Sequence, residues 1–290
     1  MQNKILKSEV IDLIRGAILE DLNGAGDITS NYLIPPDKKS SSYIICKEKD
    51  GAVLSGLDVA GYVFEEIDGS IRMERLKNDG DNLKYMDRIC NINGSTISIL
   101  KAERTCLNFL QHMSGIATLT SKFVTIAEPY GVKIKDTRKT KPLLRKIEKY
   151  AVLCGGGYNH RFGLFDAILI KDNHIAAVGG ITKAIEKVRV SAPPNLKIEV
   201  EVRDFAQLDE AITSKADIIM LDNMDTSQMT RAVKIIREKR GNSCQIEASG
   251  NVSLKNLEEI CKTGVDIISV GAITHSVPAI DFSLEFEKNI

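Results

Sequence analysis

The sequence predicts an α/β fold: an N-terminal α+β domain on an antiparallel sheet, then an incomplete or irregular α/β barrel of six to seven strands. Three observations predict it. The 290 residues suffice for one large domain or two ordinary ones. The texture changes near Gly115 from irregular to rhythmic. After that point each short apolar strand ends in a polar or small residue.

The first domain spans residues 1–114. Its opening, MQNKILKSEVIDLIRGAILEDL, is amphipathic and carries acids, unlike the apolar core of a signal peptide. Ser8 is placed to cap a helix whose stripe includes Ile11, Ile14, Ile18 and Leu22. SYIICKE, GAVLSG, SIRMERL and STISIL read as strands, with LDVAGYVFEEI as a helix among them. A longer helix is expected from near Lys101, with Leu107, Phe109, Leu110 and Met113 in its core.

The second domain is expected over 115–275. VKIKDT, DAILIKD, KIEVEV, DIIMLD, CQIEAS and DIISVG read as strands, with a seventh sought within TSKFVTIAE. KPLLRKIEKYAVL, ITKAIEKVRV, FAQLDEAITS, TSQMTRAVKIIREK and SLKNLEEICKT read as helices between them. Strands recurring every ~20 to 35 residues indicate repeated β-α units and a parallel sheet. Residues 276–290, ending DFSLEFEKNI, are expected to return to the first domain. The strand ends are Asp136, Lys171, Glu201, Asp222, Ser249 and Gly271. In a doubly wound sheet, function gathers at one or two switch-point loops, whereas every strand end of a barrel faces one mouth. The spread of chemistry over six ends favours the barrel.

Composition excludes some classes. Lys+Arg and Asp+Glu are both 39, so the net charge is +0, against a general nucleic-acid or membrane-surface binder. No stretch approaches the ~20 apolar residues of a membrane span. Six scattered cysteines without a C-x-x-C pair point to reduced thiols and a cytoplasmic location.

Within this neutral chain, cations concentrate at the expected mouth. Thr137, Arg138 and Lys139 follow Asp136, His160 and Arg161 precede a strand, and Lys171 ends it. Arg104 lies outside the barrel and could join from another domain or subunit. Such a cluster repels itself unless an anion occupies it, and Arg forks suit carboxylates and phosphates. Glu201 and Asp222 supply the opposite sign, suited to Mg2+ or to a developing cationic carbon. Ser249, Gly250 and Asn251, with Val270, Gly271 and Ala272, offer small turns suited to phosphate. Glu199 is expected to alternate with Glu201, leaving one of them to face the lumen and Glu199 to bridge to a helix. His112, His174 and His275 show no metal-ligand spacing.

The segments AERTCLNFLQHMSGIAT, DTRKTKPLLRKIEKYAVLCGGGYNHRFGLFDAILIKDNH, EVEV, IMLDN, EASGN and ISVGAITHS, with GDITS upstream, resemble the quinolinate phosphoribosyltransferase family over nearly the whole chain. That resemblance implies an N-terminal α/β sandwich with an incomplete α/β barrel. It implies transfer of the phosphoribosyl group of 5-phosphoribosyl-1-pyrophosphate to quinolinate, using Mg2+, with loss of pyrophosphate and CO2 to give nicotinate mononucleotide. It also implies roles. Arg138, His160 and Arg161 would bind quinolinate, and Lys139 and Lys171 would lie between its carboxylates and the ribose pyrophosphate. Glu201 and Asp222 would face ribose and metal, and Ser249, Gly250 and Gly271 would hold the 5-phosphate. Arg104 would come from a neighbouring subunit of a homodimer or homohexamer. Two departures concern loop shape. Lys141-Pro142-Leu143-Leu144 stands where Thr-Pro-Gly-Leu is commoner, and the EDLNGAGDITS loop is about one residue longer than usual. Three other readings compete: a related transferase acting on another anionic base, an aldolase-type lyase, and a non-catalytic anion-binding protein.

Overall fold

The computed structural model describes residues 4–287. Residues 1–3 and 288–290, the outer ends of the expected first domain and its return segment, lie outside the described residues. The first half runs α1 (Lys7–Leu22), α2 (Ile28–Leu33), β1 (Lys39–Cys46), β2 (Ala52–Val53) and α3 (Leu57–Ile67). It continues with β3 (Arg72–Arg75), β4 (Asn82–Leu83), β5 (Arg88–Ser95) and α4 (Thr96–Ala127). Then come β6 (Lys133–Lys135), α5 (Arg145–Cys154), β7 (Ile168–Ile170), α6 (Asp172–Val178), α7 (Ile181–Ser191) and β8 (Ile198–Val202). The rest is α8 (Phe205–Thr213), β9 (Ile218–Asp222), α9 (Thr226–Arg240), β10 (Gln245–Ser249), α10 (Leu257–Cys261), β11 (Ile267–Ser269), α11 (Ala272–His275) and β12 (Phe282–Phe286).

Packing divides the chain into two units. One comprises the residues up to 121, 140–156 and those from 276 onward; the other comprises 122–139 and 157–275. In the first unit, four antiparallel strands lie in the order β12-β1-β5-β3. Ile44 of β1 pairs with Leu284 of β12 on one side and Cys90 of β5 on the other. Ile44, Ile89, Ile92, Phe64, Leu107 and Leu110 are buried, so the sheet and the apolar stripes of α3 and α4 supply the core. Helix α5 is tied in by Tyr150, whose hydroxyl donates to Asp79 at 2.8 Å.

Three local expectations are corrected here. Helix α1 begins at Lys7, with Leu6 at its cap and Glu9 accepting the Leu6 N–H at 3.0 Å, so Ser8 lies inside the first turn. STISIL is the last residue of β5 and the start of α4, not a strand. Its β-branched residues resemble a strand locally, but burial of Ile99, Ala102, Cys106, Leu110 and Met113 at helical spacing overrides that preference. The place between β1 and β3 is filled instead by RICNINGS, β5. TSKFVTIAE likewise belongs to α4 up to Ala127, with Ile116, Thr120, Phe123 and Ala127 buried at a 3.6-residue period.

The second unit is a six-stranded parallel sheet with the order β6-β11-β10-β9-β8-β7. Every neighbouring pair is parallel, and helices connect successive strands. The first strand therefore pairs with the last, as in a barrel. Among the described residues, no ladder joins β6 to β7, and the ring is incomplete there. Tyr158 lies along the open edge of β6, donating its N–H to Ile134 O at 2.8 Å and accepting from Asp136 N at 3.1 Å. The parallel register puts the C-terminal ends of all six strands on one side of this unit.

Candidate active site

The site is built at those strand ends. At the end of β6, Asp136 is fully buried and its carboxylate accepts the His160 backbone N–H at 2.8 Å. This ties the loop after Tyr158 to the strand. Thr137 Oγ1 accepts the Lys139 N–H at 3.0 Å, and Thr274 Oγ1 donates to Lys139 O at 2.8 Å. Arg138 and Lys139 are exposed. Lys139 packs closely over Gly271, where a Cβ would lie 3.0 Å from Lys139 Cδ and 3.2 Å from the His275 ring.

His160 Nε2 lies 3.1 Å from Glu199 and 3.5 Å from Glu247, and its Nδ1 accepts the Arg161 N–H at 2.8 Å. An accepting Nδ1 places the ring proton on Nε2, facing the two acids. Arg161 also donates to Ala167 O at 3.2 Å. Burial pulls the Arg161 pKa down, and the nearby Arg138 guanidinium pushes it the same way. The Glu199 and Asp166 carboxylates offset part of this repulsion, and an added anion would offset more.

Glu247 underlies this group. It is fully buried on β10, accepts from Ser269 Oγ, and has Lys135 Nζ at 3.7 Å. Its Oε2 has no hydrogen-bond partner. Burial and the Glu199 charge push its carboxyl up to about 7, against the pull of His160 and Lys135. The donor atoms of His160, Glu199 and Glu247 lie within 4.8 Å of one another. The His160 Nε2–H faces both acids and the Lys135 ammonium lies 3.7 Å from Glu247, so these carboxylates have partners of their own without a metal ion.

Glu199 and Glu201 both lie on the lumen side of β8, at 5% and 6% exposure. The expected alternation between them is corrected: residues two apart on a strand share a face, and Glu199 meets His160 rather than a helix. Glu201 Oε2 pairs with Lys171 at 2.9 Å and Oε1 with Arg203 at 3.2 Å. Arg203 also reaches Asp222 at 3.3 Å and Asp172 at 3.0 Å. Hard carboxylate oxygens on adjacent strands, already sharing one cation, are a donor set that fits Mg2+.

The third side is made of turns. Asn223 donates to Asp222 at 2.9 Å and accepts from Asn251 Nδ2 at 3.2 Å. Gly250 has φ +97°, and a Cβ there would lie 2.1 Å from Asn223 Oδ1. Ser249 ends β10 beside Asp222. Val270 is buried and its N–H is committed to Lys135 O at 2.9 Å, while Gly271 and Ala272 follow at the turn.

Of the residues singled out from the sequence, the second unit thus brings together all but one. Arg104 belongs to the first unit, exposed on α4 beside a cavity of about 440 Å³ lined also by Glu20, Asp21, Asn108, His112 and Lys141. His112 there pairs with buried Glu148 at 2.8 Å, and His174 accepts the Lys171 N–H at 3.1 Å. Sequence reasoning missed Glu247, Lys135 and Arg203. An acid inside the apolar strand QIEAS was a readable signal for the first; Arg203 resembled any loop arginine.

Residues 27–114 match the family domain described as quinolinate phosphoribosyl transferase, N-terminal domain, and residues 116–285 match the corresponding C-terminal domain. The chain is 42% identical over 289 residues to a probable carboxylating nicotinate-nucleotide pyrophosphorylase of Methanocaldococcus jannaschii, covering 98% of this chain and 99% of that one. It is 41% identical over 297 residues to a mitochondrial decarboxylating quinolinate phosphoribosyltransferase of Nicotiana tabacum, covering 96% and 82%. The structure of the nicotinate-nucleotide pyrophosphorylase from Francisella tularensis superposes with a TM-score of 0.92 at 44% identity, covering 98% of each chain.

Proposed function

The chain belongs to the quinolinate phosphoribosyltransferase family, and on that premise we propose that the charged strand ends of its second unit carry the family's reaction. The enzyme transfers the phosphoribosyl group of 5-phosphoribosyl-1-pyrophosphate to quinolinate with decarboxylation. It yields nicotinate mononucleotide, pyrophosphate and CO2 in NAD biosynthesis. The observation that carries the site assignment is the opposition of Arg138 and Arg161 in a unit whose strand ends also carry the Glu201 and Asp222 acids. A dicarboxylate and a polyphosphate are the ligands that relieve this repulsion while leaving acids for the sugar.

Arg138 and Arg161 fix the quinolinate carboxylates. His160 contributes by holding the Arg161 backbone through Nδ1. The ring nitrogen is a weak nucleophile, so catalysis rests on positioning and on charge stabilisation. Lys139 and Lys171 neutralise the departing pyrophosphate, and Glu201 and Asp222 face the ribose as positive character grows at its C1. Mg2+ held by Glu201 and Asp222 would add charge neutralisation on the pyrophosphate. The turns at Ser249–Asn251 and Gly271–Ala272 receive the 5-phosphate, with Thr137 and Val270 framing the loops that carry them. Once the ring nitrogen is ribosylated, the pyridinium accepts the electron pair released with CO2, and no further cofactor is needed.

Arg104 completes the quinolinate pocket of a neighbouring subunit, in a homodimer or homohexamer; its exposure beside a polar cavity supports this. The described cysteines carry no disulfide, which supports a reducing compartment such as the cytoplasm. No helix of the described residues is long and apolar enough to cross a membrane. The direct test is release of CO2 and pyrophosphate with quinolinate, phosphoribosyl pyrophosphate and Mg2+, with nicotinate as the parallel substrate. Equal release of both products with quinolinate alone is expected. Turnover of nicotinate in its place would move the protein to another base.

A further inference from the structure

Arg203 was singled out by no motif, yet it makes the densest set of ion pairs at the strand ends. It follows β8, two residues beyond Glu201, so strand periodicity brings its side chain back to the Glu201 side. Its backbone N–H donates to Gln207 Oε1 at 2.9 Å, and Asp204 caps α8 next to it, which anchors the stem. From that anchor, Nη2 reaches Glu201 Oε1 at 3.2 Å and Asp172 Oδ2 at 3.0 Å, while Nε reaches Asp222 Oδ2 at 3.3 Å. The arginine side chain is 50% exposed, whereas the side chains of Glu201 and Asp222 are only 7% and 12% exposed. The guanidinium therefore lies over these two acids on their solvent side.

We propose that Arg203 competes with the divalent ion for Glu201 and Asp222, and so sets how tightly this enzyme holds its metal. The inference rests on the reading of that acid pair as the Mg2+ site. Local charge supports it. Three carboxylates, Asp172, Glu201 and Asp222, face two cations, Arg203 and Lys171. With the guanidinium in place the group carries one net negative charge; with it swung away it carries two, matching a divalent ion. A long, half-exposed side chain whose backbone is anchored separately can exchange its ion pairs and make that movement without disturbing the strand. The carboxylate oxygens are thereby kept paired and desolvation of an uncompensated acid pair is avoided. The metal must displace a fork that also holds Asp172.

The experiment is a titration of the purified protein with Mn2+ alone, as the probe for Mg2+, following unbound Mn2+ by its electron paramagnetic resonance signal. Arg203→Ala is expected to bind Mn2+ about tenfold more tightly than wild type, the equivalent of three exposed ion pairs in the middle of their usual range. Arg203→Lys, which keeps the charge and loses the fork, should fall between the two. In an Asp222→Asn background, the gain from Arg203→Ala should shrink towards nothing. Unchanged, weaker or undetectable Mn2+ binding by Arg203→Ala overturns the inference. If Asp222→Asn weakens Mn2+ binding while Arg203→Ala leaves it unaltered, the inference alone falls. A gain that survives Asp222→Asn removes the metal assignment as well.

Discussion

Arg138 and Glu247 show how single residues are tuned by what surrounds them. Arg138 sits exposed at the end of β6, close enough to Arg161 to oppose its charge. Its replacement by Ala should reduce kcat/KM for quinolinate by about 2–4 kcal/mol, the usual loss when one partner of a charge pair is truncated. The KM for phosphoribosyl pyrophosphate should change little, and steady-state kinetics varying each substrate in turn would show whether the loss is confined to the dicarboxylate. Glu247 makes a pH prediction. Its carboxyl is raised from 4.5 to about 7 by burial and by Glu199, with His160 and Lys135 opposing. Between those values the folded protein keeps a proton that the unfolded chain has lost. Stability therefore falls as pH rises through this window, by up to about 3 kcal/mol for one group acting alone. Glu247→Gln cannot ionise, so its unfolding free energy relative to wild type should climb between about pH 5 and pH 8. Parallel pH profiles from urea denaturation would show that Glu247 titrates normally.

At the scale of elements, the turn after β10 is as constrained as any charged residue. Gly250 combines φ +97° with an Asn223 oxygen 2.1 Å from where a Cβ would stand, and the Asn223 backbone nitrogen 3.1 Å away. Gly250→Ala must strain the turn or shift Asn223, whose side chain bonds to both Asp222 and Asn251. A cost of about 1–3 kcal/mol is expected. It should appear in the KM for phosphoribosyl pyrophosphate more than in that for quinolinate; an unaltered KM would place the 5-phosphate elsewhere. The strand β8 illustrates the other element-level rule. IEVEV puts Glu199 and Glu201 on one face, so a single strand serves both the His160 group and the Lys171–Arg203 group.

For the whole molecule, the question is where a complete site resides. Arg104 lies in the unit that holds the antiparallel sheet, and Arg138 in the unit that holds the parallel one. The proposal that Arg104 is donated across subunits predicts that Arg104→Ala and Arg138→Ala enzymes are each nearly inactive, while subunits mixed and reassembled regain part of the activity. Mixed subunits that remain as inactive as the separate variants would place Arg104 outside the shared site. The fold also joins distant sequence. β12, near the C-terminus, pairs with β1 through residues 42–46, separated by more than two hundred positions. Phe282 and Leu284 are buried there.

Much of this was written along the chain. Short apolar runs at a steady interval, each ending in a small or charged residue, are enough to specify parallel β-α units, because period and polarity are local properties. The six strands of the parallel sheet, the helix Leu57–Ile67 and the clustering of Arg138, His160, Arg161, Lys171, Glu201 and Asp222 were legible in this way. STISIL was not, since its β-branched residues favour a strand in isolation and only burial against a core makes them helical. The incomplete ring was expected, but its position was beyond local reading, because the gap between β6 and β7, with Tyr158 on the open edge, depends on which strands meet in space. Tertiary structure alone decided the partners of the charges. A sequence shows that Glu247, Lys135 and Arg203 are ionisable; burial and separations of about three to four ångströms decide that one shares its site with His160 and another lies across Glu201 and Asp222. Residue types can therefore announce the class of chemistry. Which charge is masked, raised or displaced is determined by distance and dielectric, and these exist only in the folded chain.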